Sequence, residues 1–450
     1  MELTTFRNQL FAEGEKLGFT DLELYYEKQE SFSCDIFKGE IDGFESSTVN
    51  GVSLRGLYDG KMGYAYTEKL DEDSVRFLLD SVKENAALIE DEPEEIYAGD
   101  TSYREMDFYS SSLSEVTTVD KIAFMKEVEK KIYAYDSRVV QTDYATLQDA
   151  TVEKALFNSK GLSLSDRNNI LVVIFSVVVK EEEELKSDFH VTRTQDFKSL
   201  DPNKIAAEAV EKALSYLGGK TYPNKKYSII FKNSAAASLL ATFVPSLSAE
   251  AVQKDQSLLK GKLNEDIASS HVTLTDDPFL SNSIHSGTFD SEGVATKQLT
   301  VVENGKLESY FHNLKTAKKD GVASTGHGHK PSYKDTIGIS PSNLFIQPGE
   351  EAYEDLYEDL EEGIIITNLA GLHSGANVIS GDFSLAANGY YVKAGKIVGP
   401  TNQMTIAGNF FEILHDIEQV GSDLEFAPMS AVGNIGSPSL KVKRLSIAVD

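Results

Sequence analysis

The stretch Val52-Ser53-Leu54-Arg55-Gly56-Leu57-Tyr58-Asp59-Gly60-Lys61-Met62-Gly63-Tyr64-Ala65-Tyr66 holds two alternating runs joined by Asp59-Gly60. Alternation with a period of two is what a half-buried strand requires. An Asp-Gly pair between such runs signals a two-residue hairpin, because that turn needs positive φ at both central positions. The early chain is therefore built on antiparallel strands. Before the hairpin, Leu22 to Phe37 also alternates and reads as a half-buried strand pair. Leu3 to Leu17 changes period, placing Phe6, Leu10, Phe11 and Leu17 near one helical face. After the hairpin, Asp71 reads as the N-cap of a helix with Val75, Leu78, Leu79, Val82 and Ala86 on its inner side.

The acidic, Ser- and Tyr-rich span from Glu90 to Ser114 reads as a connector, and beyond it the plan begins again. Lys121 to Tyr135 has helical spacing, and Val139 to Asn158 and Ile170 to Val179 read as strands. Asp201-Pro202 opens a helix carrying Ile205, Ala206, Ala209, Val210, Ala213 and Leu214, with Gly218-Gly219 closing it. Residues 1–90 and 118–217 thus read either as two copies of one helix/strand unit or as convergent amphipathic patterns. Tyr222-Pro223-Asn224 marks a boundary. Tyr227 to Phe231 is a short strand, and Ala235 to Leu259 is mostly helical, interrupted by Pro245. From His271 onward short β-type runs alternate with turns such as Asn304-Gly305 and Asn388-Gly389. The expected fold class is α+β with two domains: an N-terminal α+β domain over 1–221 and a β-rich domain over 222–450. A chain of 450 residues exceeds the roughly 250–300 that one core serves.

A net charge of −28 argues against nucleic-acid binding, which needs basic stripes to neutralise phosphates, and against an anionic membrane surface. The longest apolar run, Ile170 to Val179, is too short to cross a bilayer. The chain has one cysteine, Cys34, and its first residues lack a signal-peptide pattern, so a reducing cytoplasm is expected. Cys34 lies in an alternating run and reads as a small buried hydrophobe.

The second half carries an ordered set of words. They are Ser248-Ala249-Glu250-Ala251-Val252-Gln253-Lys254; Ser257 to Leu263; Leu274-Thr275-Asp276-Asp277-Pro278; Phe289-Asp290-Ser291-Glu292-Gly293-Val294-Ala295-Thr296; Val302-Glu303-Asn304-Gly305-Lys306-Leu307; Val378 to Ser384; and Ile406-Ala407-Gly408-Asn409. In number, order and spacing this set resembles the TldD/PmbA family of bacterial metallopeptidase-related proteins, specifically its TldE (PmbA) branch. The resemblance implies that the active TldD branch carries H-E-x-x-x-H on the equivalent helix. There, two histidines and a C-terminal cysteine hold zinc, and the glutamate polarises a metal-bound water. Zinc suits these donors because it lowers the pKa of bound water toward about 7. Aligned on that motif, this chain has Ala249 and Lys254 where the histidines would stand, and no cysteine follows. Only Glu250, at the base position, remains. The resemblance thus implies a non-catalytic subunit without a metal or cofactor of its own. Its expected partner is a zinc-bearing TldD-like paralogue, or a second copy of itself. The pair would process unfolded peptides, with no nucleic acid or membrane partner. The family's older description as modulators of DNA gyrase finds no supporting residue pattern here.

Other residues offer competing chemistry. His327-Gly328-His329, with His312 or His373 as a third donor, could make a metal site and a peptidase in its own right. The polar segment Ser324 to Lys330 reads instead as a solvated or substrate-touching loop. Glu250, His327, His329 and His373 are carried forward as candidate substrate-contacting residues. Ser380-Gly381-Asp382 and Leu372-His373-Ser374-Gly375 read as glycine-rich turns, since a triad depends on geometry and no G-x-S-x-G elbow is present. The runs Glu181 to Glu184 and Glu350 to Glu362 read as solvated faces. No phosphate-binding G-x-x-x-x-G-K-[ST] loop occurs. A metal-free binding protein with no peptidase partner remains the alternative of a different class.

Overall fold

The computed structural model describes residues 1–89, 95–428 and 430–448, so the start of the Glu90–Ser114 connector lies outside them. Helix α1 (Leu3–Leu17) leads into strands β1 (Phe19–Phe37), β2 (Glu40–Tyr58) and β3 (Lys61–Thr67), closed by helix α2 (Glu72–Leu88). Asp59 and Gly60 both take positive φ, 51° and 75°, and make the β2–β3 hairpin that their pairing predicts. Asp71 caps α2 by accepting the Ser74 N–H at 2.8 Å. A short helix α3 (Ser111–Ser114) precedes a second set: α4 (Thr118–Tyr135), β4 (Val139–Asn158), β5 (Ser163–Glu181), β6 (Glu184–Thr194) and α5 (Pro202–Leu214).

All six strands share one antiparallel sheet in the order β3-β2-β1-β4-β5-β6. Each half is helix, three strands, helix, and the halves meet where β1 pairs with β4. The span Leu22–Phe37, expected as a strand pair, is part of the single 19-residue β1. It contains no Gly, Pro or Asn at which the chain could reverse, so the polar centre simply continues the strand. Val139–Asn158 is likewise one strand, of 20 residues. The helix opened by Pro202 ends at Leu214, earlier than Gly218-Gly219 suggested, because the next bonds tighten to three-residue spacing, Tyr216 N–H to the Ala213 carbonyl and Leu217 N–H to the Leu214 carbonyl. The acidic run at Glu181–Glu184 makes the β5–β6 turn, with Glu182 at φ 53°.

Alternation divides this sheet into two faces. On one, Leu22, Leu24, Val52 and Leu54 pack under α1 and α2, while Phe32, Cys34, Leu147, Val173 and Phe175 pack under α4 and α5. On the other lie the intervening residues Glu23, Tyr25, Glu27, Ser53 and Arg55. This face meets the second half of the chain, as the bond from Lys330 to Ser53 shows.

That half begins with β7 (Lys225–Phe231) and α6 (Asn233–Phe243). A 3₁₀ turn over Val244–Leu247 contains Pro245, and α7 (Ala249–Gln253) ends the helical pattern short of Leu259. The remaining strands are β8 (Leu274–Asp276), β9 (Leu299–Glu303), β10 (Lys306–Leu307), β11 (Gly328–His329), β12 (Gly338–Ile339), β13 (Asn343–Ile346) and β14 (Glu362–Ala370). There follow β15 (Asp382–Lys393), β16 (Lys396–Pro400), β17 (Met404–Asn409), β18 (Ile417–Val420), β19 (Glu425–Phe426), β20 (Asn434–Ser437) and β21 (Leu440–Ala448). The path β14-β7-β21-β17-β15 closes on itself, because β14 also pairs with β15. Gly389 permits that closure: a Cβ there would lie 1.8 Å from the Ile365 carbonyl oxygen. A second sheet, β10-β9-β8-β13-β20-β19, packs with α6 and the closed ring around a core that includes Phe231, Phe243, Phe311, Leu344 and Ile406. A mixed α+β N-terminal part and a β-rich C-terminal part are the architecture that the periodicity implies.

Candidate functional site

Helix α7 is only five residues long and starts where the Ser248 hydroxyl accepts the Glu250 N–H at 3.2 Å. Ala249 is fully buried, and its N–H donates to the Phe311 carbonyl at 2.9 Å. Glu250 and Lys254 stand one turn apart on the open side, and Lys254 Nζ donates to Glu250 Oε1 at 2.6 Å. Both line a cleft of about 220 Å³ whose walls are otherwise largely apolar: Val244, Pro245, Phe311, Ile339, Pro341 and Val432. Zinc does not fit this donor set. Ala249 offers only a methyl group and Lys254 an ammonium, and that ammonium holds the one carboxylate. Among the described residues, no group of three or more His, Cys, Asp or Glu side chains is placed to hold a metal.

The Ser324–Lys330 segment corrects the expectation of a solvated loop. His327 is 3% exposed, with Nε2 3.1 Å from Asp276 Oδ2 and Nδ1 2.8 Å from the Thr325 hydroxyl. Its ring stacks at a tilt on Phe311, 4.4 Å between centroids. Polar atoms enter a core when they have partners there, and these come from β8 and from Thr325, which tertiary folding brings close. His329 faces a pocket, described below, whose lining also includes His327. His312 is buried beside His327, whereas His373 is exposed on the short helical turn Leu372–Gly375 and lines neither cleft. The histidines are therefore not gathered about one point. The Ser380 hydroxyl donates to Asp382 at 2.9 Å within an exposed turn, well apart from His327 in the fold.

The Asp290-Ser291-Glu292-Gly293 turn forms the join between the two parts of the chain. Asp290 Oδ1 accepts the N–H groups of Glu292 and Val294, at 2.9 and 3.0 Å, and its Oδ2 accepts that of Gly328 at 2.9 Å. Glu292 Oε2 accepts the Leu314 N–H at 2.7 Å, and its Oε1 lies 3.8 Å from Arg55 on β2. Arg55 also binds Glu23 on β1, Nε to Oε1 at 2.8 Å, in the cross-strand register that sets Glu23 opposite Arg55. Lys330 completes the cluster. Its ammonium donates to the Ser53 hydroxyl and lies over the rings of Tyr25 and Tyr64, at 4.8 and 4.7 Å. Burial, then the neighbouring Asp290 charge, raises the Glu292 carboxyl above the usual range. Burial, then Arg55, lowers Lys330. The role of these residues at the join escaped the sequence reading. The signal available was Leu22-Glu23-Leu24-Tyr25 against Val52-Ser53-Leu54-Arg55, charges facing away from an apolar side that a second body must cover.

A pocket of about 100 Å³ lies between the sheet and the β-rich part. Its lining includes Lys154, Asp166, His285, His327, His329 and Pro341, the last shared with the Glu250 cleft. Strand register sets Glu27, Lys154 and Asp166 in one row across β1, β4 and β5, on the face that carries Arg55. Burial, then Lys154 and His285, holds the His329 imidazole down to about 4.

Models of the PmbA/TldA metallopeptidase match along the chain: domain 1 over residues 22–86, the central domain over 111–217 and the C-terminal domain over 224–449. The first two fall on the two halves of the shared sheet. An uncharacterised protein of Methanocaldococcus jannaschii is 30% identical over 429 residues, covering 92% of this chain and 95% of that protein. A Thermotoga maritima protein, crystallised as a candidate modulator of a DNA gyrase, is 32% identical with a TM-score of 0.92, covering 99% of this chain and 100% of its own. TldE from Thermococcus kodakarensis, 24% identical, shares the fold with a TM-score of 0.88, covering 99% of this chain and 100% of its own. The chain belongs to the PmbA/TldD metallopeptidase family.

Proposed function

We propose that this chain is the metal-ligand-lacking, TldE-like subunit of a two-chain peptidase acting on unfolded peptides. A TldD-like paralogue would carry the zinc and the chemistry. One observation supports the reading above the others: Lys254 occupies a ligand position of the motif and binds the Glu250 carboxylate at 2.6 Å. A general base needs a free carboxylate facing a water, and a zinc site needs neutral donors. Neither need is met by a Glu–Lys pair beside a buried alanine. The chain's contribution is then to complete a chamber and hold an extended peptide along its apolar cleft, aided by strand-edge pairing. A self-paired form suits the chain when it is made without its partner. The lone buried Cys34 supports a reducing cytoplasm as the setting, and the net charge of −28 supports a role without nucleic acid. No helix among the described residues is long and apolar enough to cross a membrane.

The test is zinc content and casein hydrolysis of the pure chain, alone and mixed with a TldD-like paralogue. Activity confined to the mixture, with no zinc in this chain alone, is the expected result. Stoichiometric zinc and hydrolysis by the isolated chain overturn the reading.

A further inference from the structure

Three side chains from separate elements converge on the pocket between the sheet and the β-rich part: Lys154 from β4, His329 from β11, and His285 from the loop after β8. Among the described residues, none of the three makes a side-chain hydrogen bond or ion pair. The acids nearby are engaged with backbone. Asp166 accepts the Arg167 N–H at 2.8 Å and feels the Lys154 charge without a hydrogen bond to it, while three backbone N–H groups occupy Asp290. Burial, then the Lys154 and Arg193 charges, holds the His285 imidazole down to about 4, so near neutral pH Lys154 is the charged member of the three and the imidazoles are neutral donors.

The pocket and the Glu250 cleft are neighbours across the segment Ile339–Ser342. Ile339 and Pro341 face the cleft, whereas Ser340, Pro341 and Ser342 face the pocket. Apolar surface next to one ammonium and two imidazoles that make no side-chain hydrogen bond suits a chain end: an apolar side chain followed by a carboxylate. A volume of about 100 Å³ admits a terminal group and little more. Backbone amides in the middle of a peptide carry no charge to reward Lys154, whereas a carboxylate forms charge-assisted hydrogen bonds with it.

We propose that this pocket is a subsite for the C-terminal carboxylate of a peptide, bound by Lys154, His285 and His329, with the last side chain in the Glu250 cleft. The proposal rests on the peptide-holding part of the proposed function and names the ligand's chemistry. The probes are N-acetyl-Gly-Gly-Phe with a free carboxylate and the same peptide as its carboxamide, titrated calorimetrically into the full chain near neutral pH. The acid should bind about tenfold or more tightly than the amide. Lys154→Gln should remove that difference, weakening the acid about tenfold while leaving the amide within about twofold. His329→Gln should weaken the acid by a smaller factor. Lys154 is only half-buried, and an unchanged urea midpoint for Lys154→Gln establishes that the variant is folded. Equal affinity for acid and amide, no saturable binding of either, or an unaffected folded Lys154→Gln each overturns the assignment. Stimulation of a TldD-like paralogue without acid preference overturns the pocket alone. Acid preference without stimulation overturns the subunit reading alone.

Discussion

Arg55→Met tests whether buried charge joins the two parts of this chain. Methionine keeps apolar bulk on the sheet but removes the guanidinium that lies 2.8 Å from Glu23 and 3.8 Å from Glu292. Those carboxylates belong to residues 2% and 3% exposed, so water cannot replace the lost countercharge. Removing one partner of a buried pair costs about 3–5 kcal/mol, most of it from the charge left behind. The Glu23 contact has hydrogen-bond geometry and should carry the larger share. The longer Glu292 contact adds less, and a Glu292 carboxyl already raised by burial takes up a proton more readily. The assay is urea unfolding followed by circular dichroism and tyrosine fluorescence, with midpoint and slope compared. A stability loss of about 3–5 kcal/mol is expected. The triple variant Arg55→Met/Glu23→Gln/Glu292→Gln should regain a substantial part of it, because neutral amides leave no orphaned charge. A loss below about 1 kcal/mol, as a solvent-screened pair would show, refutes the argument. So does a triple variant no more stable than Arg55→Met.

Three further outcomes follow from the same structure. Ala249→His/Lys254→His should not acquire stoichiometric zinc by elemental analysis, because the third donor is missing and Ala249 is fully buried; overpacking there should cost about 1–3 kcal/mol in urea. Gly389→Ala should lower the unfolding free energy by about 1–3 kcal/mol or more, since its Cβ would sit 1.8 Å from the Ile365 oxygen at the strand closure; a change within about 0.5 kcal/mol contradicts the close approach. Lys330→Met should gain stability relative to the native chain as pH falls below lysine's ordinary value of about 10.4. The reason is that Lys330 is lowered in the fold: its contribution is present above the ordinary value and lost as pH falls through the depressed one. Urea midpoints at about pH 10 and pH 7 measure it, and a constant gap between the two proteins contradicts the shift.

Local sequence carried the elements whose rules are local. Asp59-Gly60 demanded a hairpin, Asp71 a cap, and the spacing of Val75, Leu78, Leu79 and Val82 a helix with one buried face. Strand lengths were less legible. The polar centre of β1 looks like a break until the facing strands show that it continues.

By itself, the sequence determined that the chain is α+β, that its second half is β-rich, and that the segment Ala249–Lys254 carries no histidine or cysteine. Those properties depend on residue identity and spacing along one element. Only the tertiary structure decided that His327 is buried against Asp276, that Arg55 joins Glu23 to Glu292, and that Lys154, His285 and His329 share a pocket. Each of these groupings unites residues from distant strands and loops. Burial and electrostatic partnership depend on what folding places within a few ångströms, and that distance is not written in the spacing of any one segment.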